Sequence, residues 1–450
     1  MEDYWSTAHQ QPQTDVAQGG VDNVLSPSQA QDAAEGTTVV NFTRLLTTGD
    51  PLDWPVQQGD NSIIWAYGSS NAFGYHQGNR GQVTVNLFTG VVPPPSLTDL
   101  LLPPGFSISI LTQAPLARNM ALSPNGIVYV GSGGSTPATG LYAFTLDDPT
   151  SVKTLADDLD NPNGVAYSQG SLFVATVTAV TRYDDIDSWF AKGTLPQGVV
   201  LATFEEPPST QHSWKTVKVG PDGLVYTSVN SPCNICNDTG LYGRIVRFSP
   251  VDGSGFQTVA TGVRDTQGMA WDSAGNLFWT DNGPDELGNY WPPDEFNYVL
   301  STELVSLSSS SSVVDYGFPL CYGQNEPDPA VNPSLNCTAP RRAMTNLPAH
   351  IAALGVLYYQ GSGFPFPYAS NFFVAAHGSW NRSPPLYSQL LFVEIDPVTA
   401  ETTVSIFLRG FGATGVPTGR LNALLQLPDG SLLASDDLRG YIYQIRYVGL

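Results

Sequence analysis

The sequence predicts an all-β fold: a six-bladed β-propeller preceded by a short β-rich appendage. Three observations predict it. A turn followed by an apolar strand recurs six times after Gly105. The copies are Pro124-Asn-Gly-Ile-Val-Tyr-Val, Gln169-Gly-Ser-Leu-Phe-Val-Ala, Pro221-Asp-Gly-Leu-Val-Tyr-Thr, Ala274-Gly-Asn-Leu-Phe-Trp-Thr, Ala369-Ser-Asn-Phe-Phe-Val-Ala and Pro428-Asp-Gly-Ser-Leu-Leu-Ala. Most copies run on into an alternating strand: Leu141-Tyr-Ala-Phe, Val180-Thr-Arg-Tyr, Arg244-Ile-Val-Arg-Phe, Leu391-Phe-Val-Glu-Ile and Tyr441-Ile-Tyr-Gln-Ile, with Leu304-Val-Ser-Leu as the poorer fourth member. The composition, with 44 Gly, 36 Pro and 11% aromatics, is that of a turn-rich β-protein. Consecutive copies lie roughly 45 to 95 residues apart, and a four-stranded blade takes about 40 to 50.

In chain order, residues 1–36 carry almost no apolar periodicity and read as a flexible leader. No signal-peptide pattern opens at Met1. Residues 37–92 hold β-like runs at Thr38–Leu45, Ser62–Tyr67 and Gln82–Phe88. Pro93-Pro94-Pro95 opens a stiff linker over 93–104. The propeller occupies 105–450. Phe106-Ser-Ile-Ser-Ile-Leu is placed to close the ring by adding the outer strand to the last blade, beside Tyr441–Tyr447. The long gap between the fourth and fifth copies reads as an insertion over 290–347, with a serine-rich run at Ser306–Ser312.

The formal charge of −22 and the pI near 4.3 exclude nucleic acid and an anionic membrane face as partners. No apolar run approaches the length of a membrane span. Cys233-x-x-Cys236 and Cys321…Cys337 lack the two-knuckle spacing of a zinc ribbon, so two local disulfides are the better reading. Sequons at Asn41, Asn237, Asn336 and Asn381 agree with an oxidising, extracellular compartment.

With only 18 Lys and Arg in the chain, the distribution of cations carries information. His212-Ser-Trp-Lys215, Arg264-Asp-Thr-Gln267, Arg118-Asn-Met and Gly419-Arg420-Leu-Asn422 all lie just upstream of a repeat strand and should face one funnel. Converging cations in an acidic protein imply a small, multiply anionic ligand. The stretch Arg264–Glu286 supplies a second feature. Its turn, Asp272–Gly275, joins two strands, and Gly283-Pro284 between acids offers carbonyl oxygens that suit calcium.

Two resemblances follow from these residues. Ile63–Leu87 resembles the tail of a DOMON-type β-sandwich, a family that binds haem or sugars. His76 is its candidate haem ligand, and without a Met partner nearby the stretch reads as an appendage with no cofactor. From Gly105 onward the chain resembles the soluble pyrroloquinoline-quinone (PQQ) sugar dehydrogenases. The motifs are HSWKTVKVGPDGLVYT at His212–Thr227, with the His eight residues before Gly220, then Arg264-Asp-Thr-Gln-Gly and Asn282-Gly283-Pro284 followed by Asp294-Glu295-Phe-Asn297. The sorbosone/pyranose dehydrogenase branch is closer, through ARNMA (Ala117–Ala121), NPNGVAY (Asn161–Tyr167), SPCNIC (Ser231–Cys236), YGFP (Tyr316–Pro319) and HGSWNRS (His377–Ser383).

The resemblance implies roles. PQQ carboxylates would be held by Arg118 and Arg420, with Lys215, Gln267 and Arg382 nearby. Calcium would sit on the Gly283 and Pro284 carbonyls. His212 would be the general base on a sugar hydroxyl, and Arg264 would stabilise negative charge on the cofactor. The implied activity is extracellular sugar oxidation, with electrons passed to a haem protein or another acceptor. Two departures stand out: Asp265 occupies the place of the family's Asn, and Lys215 is one place out of register. They keep open a non-catalytic propeller acting as a structural or glycan-binding module.

Overall fold

The computed structural model describes residues 96–449 apart from 135–137, 210–211, 308–312, 329–333 and 413–416, together with the backbone of short strands within 1–95. The expected leader, the appendage side chains, His76 and the Asn41 sequon lie outside the described residues. Within 1–94, a unit separate from 95–450, Asp60–Ala66 pairs antiparallel with Arg80–Asn86.

Six antiparallel blades make up the second unit. From innermost strand outward, blade one is Ala117–Leu122, Ile127–Ser132, Leu141–Thr145 and Lys153–Ala156; blade two is Gly164–Ser168, Ser171–Ala175, Ala179–Tyr183 and Val199–Thr203. Blade three is Val217–Val219, Val225–Val229, Arg244–Phe248 and Gln257–Thr261; blade four is Gly268–Trp271, Leu277–Asp281, Asp294–Val299 and Thr345–Leu347. Blade five is Ala353–Tyr359, Asn371–Ala376, Gln389–Ile395 and Thr402–Leu408. Blade six is Leu421–Gln426, Leu432–Asp436 and Tyr441–Tyr447, completed by Phe106–Gln113. The six repeated motifs are thus the second strands. Each is buried along nearly its whole length because both faces are covered by neighbouring blades. Tyr226 and Ile245 of blade three, for example, pack against Met269, Leu277 and Trp279 of blade four.

The turns follow from side chains that replace missing backbone partners. Asp272 accepts the amides of Ala274 and Asn276 at 2.9 and 2.8 Å, and Gly275 takes φ +78°. Ring closure is as expected: Phe106–Gln113 pairs along Tyr441–Tyr447, from Phe106 opposite Tyr447 to Gln113 opposite Tyr441. The linker assignment is too long. Leu97–Asp99 forms a 3-10 turn, Leu100 is buried in the core, and Leu101 exchanges backbone hydrogen bonds with Arg409.

The stretch 290–347 also differs from expectation. Asp294–Val299 is blade four's third strand and Thr345–Leu347 its fourth, so the inserted chain lies between those strands rather than between blades. Leu304 belongs to a helix, Ser301–Ser306, instead of the expected strand. The strand hides in the sequence because its acidic start, Asp294-Glu295, is buried to bind backbone amides. Val314–Asp315 of the insertion adds a parallel strand to the edge of blade three.

Candidate functional site

On one face of the propeller lie the loops that enter each first strand and the loops that leave each second strand. The residues singled out above sit on that face, in two groups. The first group spans blades three and four. His212 has φ 52°, a left-handed conformation that is costly for a non-glycine residue and concentrates at functional sites. Its Nδ1 donates to the Ser231 carbonyl at 2.9 Å, because a carbonyl can only accept. The lone pair then falls on Nε2. Burial, followed by the nearby Arg264 charge, pushes the imidazolium pKa down, so the ring is neutral at neutral pH.

Arg264 is almost fully buried. Its Nε and Nη2 donate to the Asn234 backbone and side-chain oxygens at 2.9 and 2.8 Å, its Nη1 to the Asn282 carbonyl at 3.1 Å, and its Nη2 also to Asp285 at 3.2 Å. Gln267 donates to Asp265 at 2.7 Å and accepts from Asn163 at 3.3 Å. The carboxylate of Asp265 is taken up by three side-chain amides, those of Asn230, Gln267 and Asn282. Asp281 accepts the backbone amides of Arg264 and Asp265 and so fixes the entry to blade four.

The Gly283–Pro284 loop adjoins this group. The Gly283 amide donates to Asp294 at 3.1 Å. Both Asn282 Nδ2 contacts are to oxygens, which fixes the amide orientation and leaves Oδ1 sealed from solvent without a donor. Among the described residues no set of three His, Cys, Asp or Glu side chains could hold a metal. A cation here would rest on carbonyl and amide oxygens, the donor set that calcium accepts. Burial pushes the carboxyls of Asp294 and Glu295 up to about 7.

The second group joins blades one, five and six around Asp437. Arg118 donates from Nε and Nη2 to Asp437 Oδ2 at 3.0 and 2.7 Å and stacks on Trp214 at 4.6 Å. His377 Nε2 reaches Asp437 Oδ1 at 2.9 Å. Arg420 Nε lies 3.2 Å from Asp437 Oδ1 but out of hydrogen-bonding alignment, and the Arg420 side chain is 38% exposed. Burial alone would raise the Asp437 carboxyl, yet His377, Arg420 and Arg118 hold it well below the usual carboxylate range. Two guanidiniums face the Asp437 carboxylate, and the neighbouring Asp436 accepts the Arg420 amide at 3.0 Å.

Two expected members point elsewhere. Lys215 Nζ donates to the Val177 carbonyl at 2.5 Å, near the Phe204 ring, and burial pushes its pKa down to about 8. Arg382 donates to the Ala349 carbonyl at 3.0 Å and lies 4.7 Å from the centre of the Tyr290 ring. Asn381 corrects a sequon assignment: it is 4% exposed, and its Nδ2, the atom a glycan would occupy, donates to Asp285 at 3.1 Å. Asn237 and Asn336 are exposed. Both disulfides form as expected, Cys233–Cys236 and Cys321–Cys337, each with Cα atoms 5.8 Å apart.

Asp437, Asn234 and Asp285 are the functional neighbours that sequence reasoning missed. A signal existed: Asp437, Asn282 and Asn230 each follow the end of a second strand, as equivalent repeat positions would.

The fold is shared with soluble sugar dehydrogenases of the PQQ type. The PQQ domain of pyranose dehydrogenase from Coprinopsis cinerea, in holo form, matches with TM-score 0.63 and 20% identity over 79% of this chain and 98% of that one. The Trichoderma reesei enzyme of Carbohydrate-Active Enzymes Family AA12, in its calcium structure, gives TM-score 0.65 and 17% identity over 77% and 97%. PQQ-bound aldose sugar dehydrogenase from Streptomyces coelicolor gives 0.52 and 16% over 77% and 99%. In sequence, an uncharacterised protein of Borreliella burgdorferi is 27% identical over 365 residues, 77% of this chain and 91% of that protein. The family model described as Domain of unknown function (DUF7133) matches residues 148–378, just over half of the 450 residues, and the chain belongs to that family.

Proposed function

We propose that the propeller is a quinoprotein that oxidises a sugar with PQQ and calcium. The observation that carries this reading is His212: neutral, oriented through Nδ1 by the Ser231 carbonyl, and beside a buried arginine. That is the arrangement a general base for a hydroxyl proton needs. The residues present also fit the cofactors. The Arg420 side chain is 38% exposed, so its guanidinium can meet a carboxylate. Asn282 Oδ1 and the Gly283 and Pro284 carbonyls suit calcium. When bound, PQQ supplies a two-electron acceptor and calcium a Lewis acid.

The chain's own residues supply the rest. His212 takes the sugar hydroxyl proton at Nε2. Arg264 sets positive charge where negative charge grows. Arg118, spent on Asp437, supports Arg420 rather than binding a ligand itself. Tyr290 and Trp380, 69% and 51% exposed, offer flat faces for a pyranose ring. The two disulfides and the sequons at Asn237 and Asn336 support an extracellular location, and a haem protein is the acceptor class we assign.

The test is a titration of the purified protein with PQQ in the presence of calcium, followed by sugars. The reading requires a protein-bound quinone spectrum that aldoses or their deoxy and keto-aldehyde relatives bleach. Absence of saturable PQQ binding would instead leave a non-catalytic propeller.

A further inference from the structure

One short loop, Ser231–Cys236, touches both residues proposed to act on the substrate and cofactor. The Ser231 carbonyl takes His212 Nδ1 at 2.9 Å, and the Ser231 amide donates to the Arg264 carbonyl at 2.8 Å. Three residues on, Asn234 accepts twice from the Arg264 guanidinium, through its carbonyl at 2.9 Å and its Oδ1 at 2.8 Å. The same Asn234 clamps the next loop: its Oδ1 takes the Asp285 amide at 2.8 Å and its Nδ2 donates to the Asp285 carbonyl at 3.0 Å. Asp285 closes the circuit by accepting Arg264 Nη2 at 3.2 Å. Asn234 lies inside the ring closed by the Cys233–Cys236 disulfide, only three residues across.

We propose that the disulfide-closed loop is the positioning device of the site, with Asn234 as the residue that sets Arg264 and the Gly283–Asp285 loop. The physical reason is entropic. Four simultaneous hydrogen bonds from one Asn need its backbone and side chain held in one arrangement, and a free loop of this length samples many. Ring closure removes most of those alternatives. Opening the disulfide frees Asn234, and Arg264 loses its two best acceptors. Lys215 and Arg382 do not take the place of Arg264, since both are bonded elsewhere. Asn234 thus acts through Arg264 and touches no substrate.

Selectivity between the two disulfides favours a clean experiment. Cys321 and Cys337 are each 4% exposed, whereas Cys233 and Cys236 are partly exposed beside the exposed Ile235. A mild phosphine therefore opens Cys233–Cys236 first. The disulfide takes two electrons and two protons, and the phosphine takes its oxygen from water.

The proposal rests on the role given to Arg264, but its test needs neither quinone nor sugar, so the two can fail separately. The measurement is modification of arginines by phenylglyoxal, mapped by mass spectrometry on the ligand-free protein. In the wild type Arg264, whose side chain is 3% exposed, stays unmodified under conditions that label Arg446, which is 55% exposed. Asn234→Ala is expected to lose that protection, Asn234→Asp to keep it because Oδ1 still accepts from Arg264 Nη2 although the bond to the Asp285 carbonyl is lost, and mild reduction of the wild type to lose it. If Asn234→Ala fails to fold, the reduced wild type carries the test. Protection that survives both Asn234→Ala and reduction overturns the proposal. Protection lost in Asn234→Ala but retained after reduction overturns the disulfide's part in it.

Discussion

His212, Arg420 and Glu295 show how single side chains divide the work of the site. Arg420 has charge and exposure to give to a ligand, while Arg118 has neither to spare. Arg420→Ala should weaken PQQ binding about ten- to hundredfold, the worth of a charged hydrogen bond or two, and equilibrium titration measures it. Glu295 works on stability instead. Burial raises its carboxyl from 4.5 to about 7, so the folded protein binds that proton more tightly than the unfolded chain. The stabilisation is complete below about pH 4.5 and is lost as the pH climbs through about 7. Gln at this position needs no proton. Its oxygen can accept the Gly323 amide, and its NH2 can meet Asn297, whose Oδ1 lacks a partner. Glu295→Gln should therefore flatten the fall in unfolding temperature between pH 5 and pH 8, roughly, relative to the parent. An equal slope in parent and variant would refute the assignment.

Elements were legible where their pattern is local. Each second strand announces itself by a turn of Asp, Asn or Gly followed by apolar residues, and all six appear where expected. The strand Asp294–Val299 was not legible, because buried acids that cap amides read as a polar loop. The Leu304 helix was misread for the converse reason: four alternating residues do not separate a strand from one helical turn. Closure was legible because Phe106–Leu111 had no other sheet to join. Phe106 packs its ring 4.8 to 5.2 Å from Phe364, Phe407, Tyr447 and Tyr368. Phe106→Ala should cost about 3 kcal/mol of unfolding free energy, read by urea denaturation, with Phe106→Leu between the two. A loss as small as that of a surface substitution would mean that the closing strand is dispensable.

At the scale of the whole molecule, the candidate site is assembled from loops of five blades, and that is why only part of it could be read. Repeat position places His212, Arg264, Arg118 and Arg420 on one face. What each then bonds to depends on partners up to 319 residues away, as with Arg118 and Asp437. No spacing rule reports that an internal carboxylate has already claimed a cation. The same holds for Asn381, a sequon by sequence and a buried donor to Asp285 in the fold. Expression through a secretory pathway followed by glycopeptide mapping should find glycans at Asn237 or Asn336 and none at Asn381. A glycan at Asn381 would contradict the packing around Asp285. The central claim is that His212 performs proton abstraction on a sugar while other residues hold the cofactor. It is tested most directly by recording, on one sample of each protein loaded with PQQ and calcium, the cofactor spectrum before and after sugar. The account predicts that His212→Asn binds PQQ like the parent but reduces it about 10² to 10⁴ times more slowly; reduction at the parental rate in His212→Asn, or a parent that binds PQQ and is bleached by no sugar, would contradict it.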